Sequence, residues 1–445
     1  MDEFVYMNQV FFYIPPLVAM PIAYLLDRYK LRRTMYVCMA LSTVRNLARV
    51  LLFLPHFGGG HHLWRSLRVA YWFVANITQS AVVVLYYCLP LQVSEDWFAR
   101  EERSLAWTCI GLMPVLGTAL SALTVPHYVP DVSQVHLLAY VQLVTLLISV
   151  VAVVAGITKS RPETGPPSER KARGQSVGDS IGMIEKLRRL GRSKDIWLQV
   201  FALHTFQSIM ASINTVSQDL LQSAGLSIVF CGQLMASTNI LMVVFQLISS
   251  AYLERSSPSS AVLLASGAQQ VSEAEVSFKI VNSCKRFMSI QCSAFFLYAC
   301  ALNLHLLRDS IWLLERLASY QWMFLILSST LFVSVRSWAA PTYNEQSARM
   351  IAGVVTEATF GAANTIASCV TQTLFSSSFV ALRYDESTAT SGGHRKHSEY
   401  WRSILFVSVC AFAFTVVYVW CFDGRRPRPT TATQTRSSQS RASCG

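Results

Sequence analysis

Long apolar runs separated by short polar ones dominate this chain. Each run is about 20 residues or more, enough for a helix to cross roughly 30 Å of hydrocarbon. Eleven such runs are predicted as helices: Phe4–Leu26, Thr34–Leu54, Val69–Gln92, Leu105–Pro126, His136–Thr158, Ile196–Gln222, Ile228–Leu253, Phe287–Leu307, Tyr320–Thr342, Ala352–Leu382 and Ser403–Phe422. A basic polar segment separates the first five from the last six. The pattern predicts an all-α polytopic membrane protein of two helical bundles with eleven transmembrane helices. Its parts are a five-helix bundle (1–158), a cytoplasmic linker (159–195), a six-helix bundle (196–422) and a disordered cytoplasmic tail (423–445) rich in Ser, Thr and Arg.

One part of the linker has helical periodicity. Over Ile181–Arg192, Met183, Ile184, Leu187 and Leu190 fall on one side, and Glu185, Lys186, Arg189 and Arg192 on the other. This suits a short helix lying on the inner membrane face, apolar side down. A soluble linker helix fits the same pattern.

Composition agrees with the hydropathy. Charged residues are 14% of the chain and apolar residues 52%, against ~25% charged in soluble domains. An ordinary cytosolic enzyme is excluded. The net charge of +12 would suit nucleic acid if it formed one patch, but it does not. With the linker inside and the loops alternating, the cations gather in Asp27–Arg33, the linker, Glu254–Arg286 and the tail. That is the positive-inside bias, and it sets orientation. The charge therefore reads as topology and attraction to anionic lipid, with no nucleic-acid partner. Most of the 11 cysteines fall within spans and none forms a C-x-x-C pair, so they read as small apolar packing residues, with no zinc or other metal site. The first apolar run is too long, and lacks the basic start, for a cleavable signal. Asn76-Ile77-Thr78 lies within a span, out of reach of a glycosyl transferase. There is no phosphate-cradling glycine loop, G-x-S-x-G or H-E-x-x-H. No enzyme activity, catalytic residue or cofactor is expected.

The two halves share a sequence element. Ala23-Tyr24-Leu25-Leu26-Asp27-Arg28 closes the first span, and Ala251-Tyr252-Leu253-Glu254-Arg255 closes the second span after the linker. If the halves are structural repeats, the first lacks its opening helix. Asp27, Arg28 and Arg32 on one side, with Glu254, Arg255 and Glu345 on the other, are candidate gating residues. Opposite charges there pair in one conformer and separate on rocking. Asp27-Arg28-Tyr29-Lys30-Leu31-Arg32-Arg33 after a half's second span, with bundles around a basic linker, resembles the major facilitator superfamily.

The resemblance can be narrowed. Tyr13-Ile14-Pro15-Pro16, Leu25-Leu26-Asp27-Arg28 and Leu31-Arg32 resemble the second span of the feline leukemia virus subgroup C receptor family. Leu89-Pro90, Trp97-Phe98, Glu102, Ser104, Ala106, Leu116-Gly117 and Val125-Pro126 resemble its fourth and fifth spans. Pro341, Glu345, Gly361 and Asn364 resemble its tenth and eleventh. The resemblance implies an alternating-access carrier, for choline-like solutes or heme. The family's choline site is an aromatic cage, because a quaternary ammonium sits on ring faces. The cage Tyr aligns here with Ala211, one Gln with Val115 and another with Ser368 or its neighbour, while Asn364 is retained.

Charged residues within spans supply an independent candidate site. Arg45 and Arg49 lie one helical turn apart and share a face; Arg336 lies in a later span. An arginine at mid-membrane costs ~2.5–3.5 kcal/mol on insertion scales, so it usually faces a cavity or a partner. Arg45, Arg49, Arg336 and Asn364 are the substrate-binding candidates, and an electropositive cavity suits a carboxylate or phosphate. Structural pairing or snorkelling of these arginines fits equally. No carboxylate sits clearly at mid-membrane, which favours uncoupled movement. Gly111-x-x-Pro114-x-x-Gly117 loosely resembles the antiporter motif of facilitator fifth spans, and helix bending explains it as well. Eight of the 9 histidines lie at the outer side: His56, His61, His62, His127, His136, His305, His394 and His397. They suit heme handling, acid sensing or simply wet loops.

The function expected is a facilitator-type transporter of a small organic solute, heme-like or another anionic metabolite. The alternatives are a choline-type cation facilitator and a non-transporting receptor or regulatory protein. The expected partners are the solute and membrane lipids, in a plasma or endolysosomal membrane. Oligomeric state is left open.

Overall fold

The computed structural model describes residues 2–53, 61–98, 102–129, 134–157, 183–223, 227–256, 269–307, 321–351, 355–384 and 400–424. Helix is the regular structure throughout. The first half contains α1 (Asp2–Phe53), α2 (His61–Trp97), α3 (Arg103–Tyr128) and α4 (Val135–Gly156). The linker carries α5 (Met183–Arg192). The second half contains α6 (Lys194–Ser223), α7 (Ile228–Ser256), α8 (Gln269–Leu307), α9 (Gln321–Ile351), α10 (Glu357–Tyr384) and α11 (Tyr400–Cys421).

Two expectations about elements need correction. The first two predicted spans are one helix of 52 residues, α1, with Pro15, Pro16 and Pro21 inside it. The polar stretch Asp27–Arg33 was expected to break the helix. It contains neither Gly nor Pro, and Lys, Leu and Arg are good helix formers. Side chains there bond along the helix: Arg28 donates to Tyr24 and Arg32 to Tyr36, each at 3.2 Å. The second correction concerns α5. Its Leu190 is 1% exposed and Lys186 is buried, whereas Ile184 is 83% exposed. Lys186 therefore turns toward the protein, not away from it.

Seven helices among the described residues hold segments long and apolar enough to cross a membrane. The most apolar is His136–Gly156 in α4, with mean hydropathy 2.6. Its Val141, Ile148, Val151 and Val154 are more than half exposed, an apolar surface that only lipid suits. Several helices outrun their predicted spans, because polar ends emerge into water where hydropathy no longer marks them.

The larger core belongs to the second half. Phe206, Phe295, Phe332 and Tyr298 cluster with ring centroids 5.5–6.3 Å apart. Below them Tyr418 donates to Gln199 at 2.8 Å, and Gln199 donates to the Tyr343 carbonyl at 2.9 Å. That chain satisfies three buried polar groups and ties α6, α9 and α11 together.

The halves meet along two seams. On one side α1 and α2 pack against α10; on the other, α3 packs against α7. Both seams use glycine. A Cβ on Gly361 of α10 would stand 2.6 Å from Cys88 Cα in α2, and one on Gly232 of α7 would collide with the Ala122 carbonyl of α3. Small residues let the backbones approach where hydrocarbon offers no hydrophobic drive. Thr108 and Ser250 share a hydrogen bond of 2.7 Å across the α3–α7 seam.

Candidate functional site

A cavity of about 130 Å³ lies between the halves, lined by residues of α2, α3, α6, α7, α8, α9 and α10. Helical spacing decides which residues reach it. On α3 they are Trp107, Thr108, Gly111 and Val115; on α9, Arg336, Ser337, Ala340, Tyr343 and Asn344. Both sets recur at intervals of three or four, one face of each helix. Gln207, Gln246, Gln291 and Asn364 supply amides, and Tyr87, Trp107, Phe206 and Tyr343 supply rings. Arg336 is the one Lys or Arg among the described lining residues, and no carboxylate is among them.

Polar side chains from both halves converge at one side of the cavity. The Tyr87 hydroxyl of α2 lies 2.9 Å from the Ser368 hydroxyl of α10. The Tyr87 ring meets His204 of α6 edge-on, centroids 5.4 Å apart. Arg336 donates to Met242 Sδ at 3.5 Å and lies close enough to act electrostatically on Tyr87 and His204. His204 is 2% exposed and Asn364 4%. Their side chains lie within hydrogen-bonding reach, the Asn364 amide oxygen facing the His204 ring, though the contact falls short of strict hydrogen-bond geometry and both ring nitrogens and Asn364 Oδ1 lack a well-formed bond. A buried polar group left this way costs ~1–3 kcal/mol. Clusters of this kind in a cavity mark where a ligand's polar atoms complete the bonding.

Of the four substrate-binding candidates, Arg336 and Asn364 line the cavity. Arg45 and Arg49 are not among its lining residues. Arg49 donates to Gln142 of α4 at 3.1 Å, and Arg45 Nε has no hydrogen-bond partner among the described residues. They share a face, as their spacing requires, but Arg49 reaches toward α4. Val115 lines the cavity, and Ser368 holds Tyr87 from behind. Ala211 is not among the lining residues. His204 is the one histidine inside a predicted span and away from its edges. Its burial beside Asn364 was not visible in the sequence.

Away from the cavity, Asp27 joins three elements. Its Oδ2 accepts from Lys186 Nζ of α5 and from Thr356 Oγ1, both at 2.9 Å. Thr356 precedes α10 and accepts the Thr359 N–H at 3.4 Å. Asp27 thus meets the electropositive N-terminus of α10, across the seam between halves. Arg28 and Arg32 bond along their own helix instead. The side chains of Glu254, Arg255 and Glu345 lie outside the described residues. So do the outer histidines except His136, whose ring lies 6.2 Å from that of Tyr140. Lys186 was not a gating candidate. Its one sequence signal was position on an amphipathic linker helix.

A family model described as Major Facilitator Superfamily matches residues 7–271, more than half the chain. The chain belongs to the Major Facilitator Superfamily. No curated protein matches it by sequence. Solved superfamily structures are similar in fold. A double-tryptophan mutant of XylE has TM-score 0.59 and 11% identity, with 96% of this chain and 87% of that one covered. The Escherichia coli (E. coli) fucose:proton symporter FucP has TM-score 0.57 and 11% identity, covering 93% and 89%. A bacterial homologue of the iron transporter ferroportin, in an outward-facing state, has TM-score 0.53 and 11% identity, covering 93% and 88%. At such identities the likeness concerns fold alone. Superfamily and fold make this a multi-pass membrane protein of the facilitator transporter type.

Proposed function

We propose that the chain carries a small organic anion across its membrane by alternating access, with the solute's carboxylate or phosphate against Arg336. One observation carries this reading: Arg336 is the sole fixed charge among the described residues lining a cavity between the halves, with amides around it. In a low-dielectric site a single guanidinium binds an anion bidentately and repels a cation. The solute site at mid-depth between two bundles suits rocking of one half on the other.

Volume narrows the class. About 130 Å³ is below the ~300–1,000 Å³ of pockets for drug-sized ligands. It favours a metabolite of a few heavy atoms over a heme-like tetrapyrrole. The lack of a carboxylate among the described lining residues supports uncoupled movement. The resemblance to the feline leukemia virus subgroup C receptor family supports a plasma-membrane or endolysosomal setting.

A choline-type cation is the second reading, and the rings of Tyr87, Trp107, Phe206 and Tyr343 favour it. Uptake by purified chain in proteoliposomes separates the two. Radiolabelled lactate, succinate and choline are offered to wild type, Arg336→Lys and Arg336→Ala. The anion reading expects carboxylate uptake, reduced at least tenfold in Arg336→Ala and partly kept in Arg336→Lys. Choline uptake that survives Arg336→Ala, with no carboxylate moved by wild type, favours the cation. No uptake of any probe favours a receptor or regulatory role.

A further inference from the structure

We infer that the solute carries a hydrogen-bond donor next to its anionic group, making it a 2-hydroxy or 2-amino carboxylate and not a plain one. This rests on the anion reading above and adds the second recognition element. The observation is the pair His204 and Asn364. Both line the cavity, both are more than nine-tenths buried, and both keep polar atoms without a well-formed hydrogen bond.

The chemistry of the pair sets the ligand group. Asn364 Oδ1 is an acceptor only. A neutral imidazole keeps one ring nitrogen as acceptor in either tautomer, with the other as donor. The open valences are therefore mostly acceptors, and a carboxylate has no proton to give them. A hydroxyl or an ammonium does. With the His204 N–H turned toward Asn364 Oδ1, the other ring nitrogen and the oxygen's second lone pair stay open, and a ligand hydroxyl or ammonium can donate to them. Arg336, His204 and Asn364 line one cavity of about 130 Å³, so the anion site and this donor site are neighbours. Two groups on adjacent carbons match neighbouring sites better than two groups at opposite ends of a molecule.

Packing explains why the pair stays poised. Tyr87 presses edge-on against the His204 ring, and its hydroxyl is held by Ser368. Ser208, one turn after His204 on α6, shares a 2.7 Å hydrogen bond with Thr371 of α10. The helices bearing His204 and Asn364 are thus tied together, and their side chains cannot drift apart to find other partners. A site built to bond a substrate hydroxyl rejects the analogue lacking it, because the protein's own buried groups then stay unmet.

The test uses matched probes on the full chain in proteoliposomes: lactate against propionate, malate against succinate, and alanine against propionate. Inhibition constants are measured for each. The inference expects at least one substituted probe to bind ten times or more tighter than its plain partner. Asn364→Leu should erase that preference. His204→Phe, which keeps a ring against Tyr87, should do the same and serves if Asn364→Leu does not fold. Equal affinities within every pair, or a preference that survives both variants, overturn the inference but leave the anion reading intact. Binding of choline with no carboxylate bound at all overturns both.

Discussion

At the residue scale, Gly361 shows what a family-like position does here. Its missing side chain lets α10 lie on the backbone of Cys88 in α2. A Cβ there must displace backbone, not the tip of a flexible side chain. Gly361→Ala is expected to cost ~1–3 kcal/mol through overpacking, read as a lower thermal midpoint in detergent. An unchanged midpoint would mean that the seam yields freely. The arginines teach a different lesson. Arg45 and Arg49 looked like cavity residues because burial of a cation demands a reason. The reason found for Arg49 is Gln142, a partner that no spacing rule could have named.

At the element scale, the linker helix is tied to α1 through Lys186 and Asp27. Lys186 is 8% exposed and Asp27 23% by side chain, so the pair is shielded enough to outweigh a surface ion pair. Through Thr356 the same carboxylate holds the start of α10. Asp27→Asn weakens both links. Cys88 reports the result, since it is fully buried and lies 3.5 Å from the Ala358 carbonyl of α10. In a variant whose other cysteines are replaced, Asp27→Asn should raise maleimide labelling of Cys88 severalfold. Labelling at the parent rate would remove Asp27 from the gate. The continuity of α1 belongs to this scale too. Charged residues at a membrane edge suggest a loop, but a loop needs a helix breaker, and Asp27–Arg33 has none.

At the scale of the whole molecule, the two seams alternate if the halves rock. The Thr108–Ser250 contact, 2.7 Å between hydroxyls, gives a direct test. Two Oγ atoms that close set the Cβ atoms within reach of a disulfide. Oxidation of the pair Thr108→Cys and Ser250→Cys is expected to stop transport, and reduction to restore it. Full activity of the oxidised protein would mean that this seam never opens.

The sequence by itself determined the membrane-spanning helical class, because that follows from apolar length. It also marked an amphipathic linker helix. Only the tertiary structure decided which polar residues share the cavity, that Lys186 turns inward to Asp27, and that Arg49 reaches Gln142. Those outcomes depend on how each helix is rotated against its neighbours. That rotation is set by packing between segments far apart in the chain, which local periodicity does not encode.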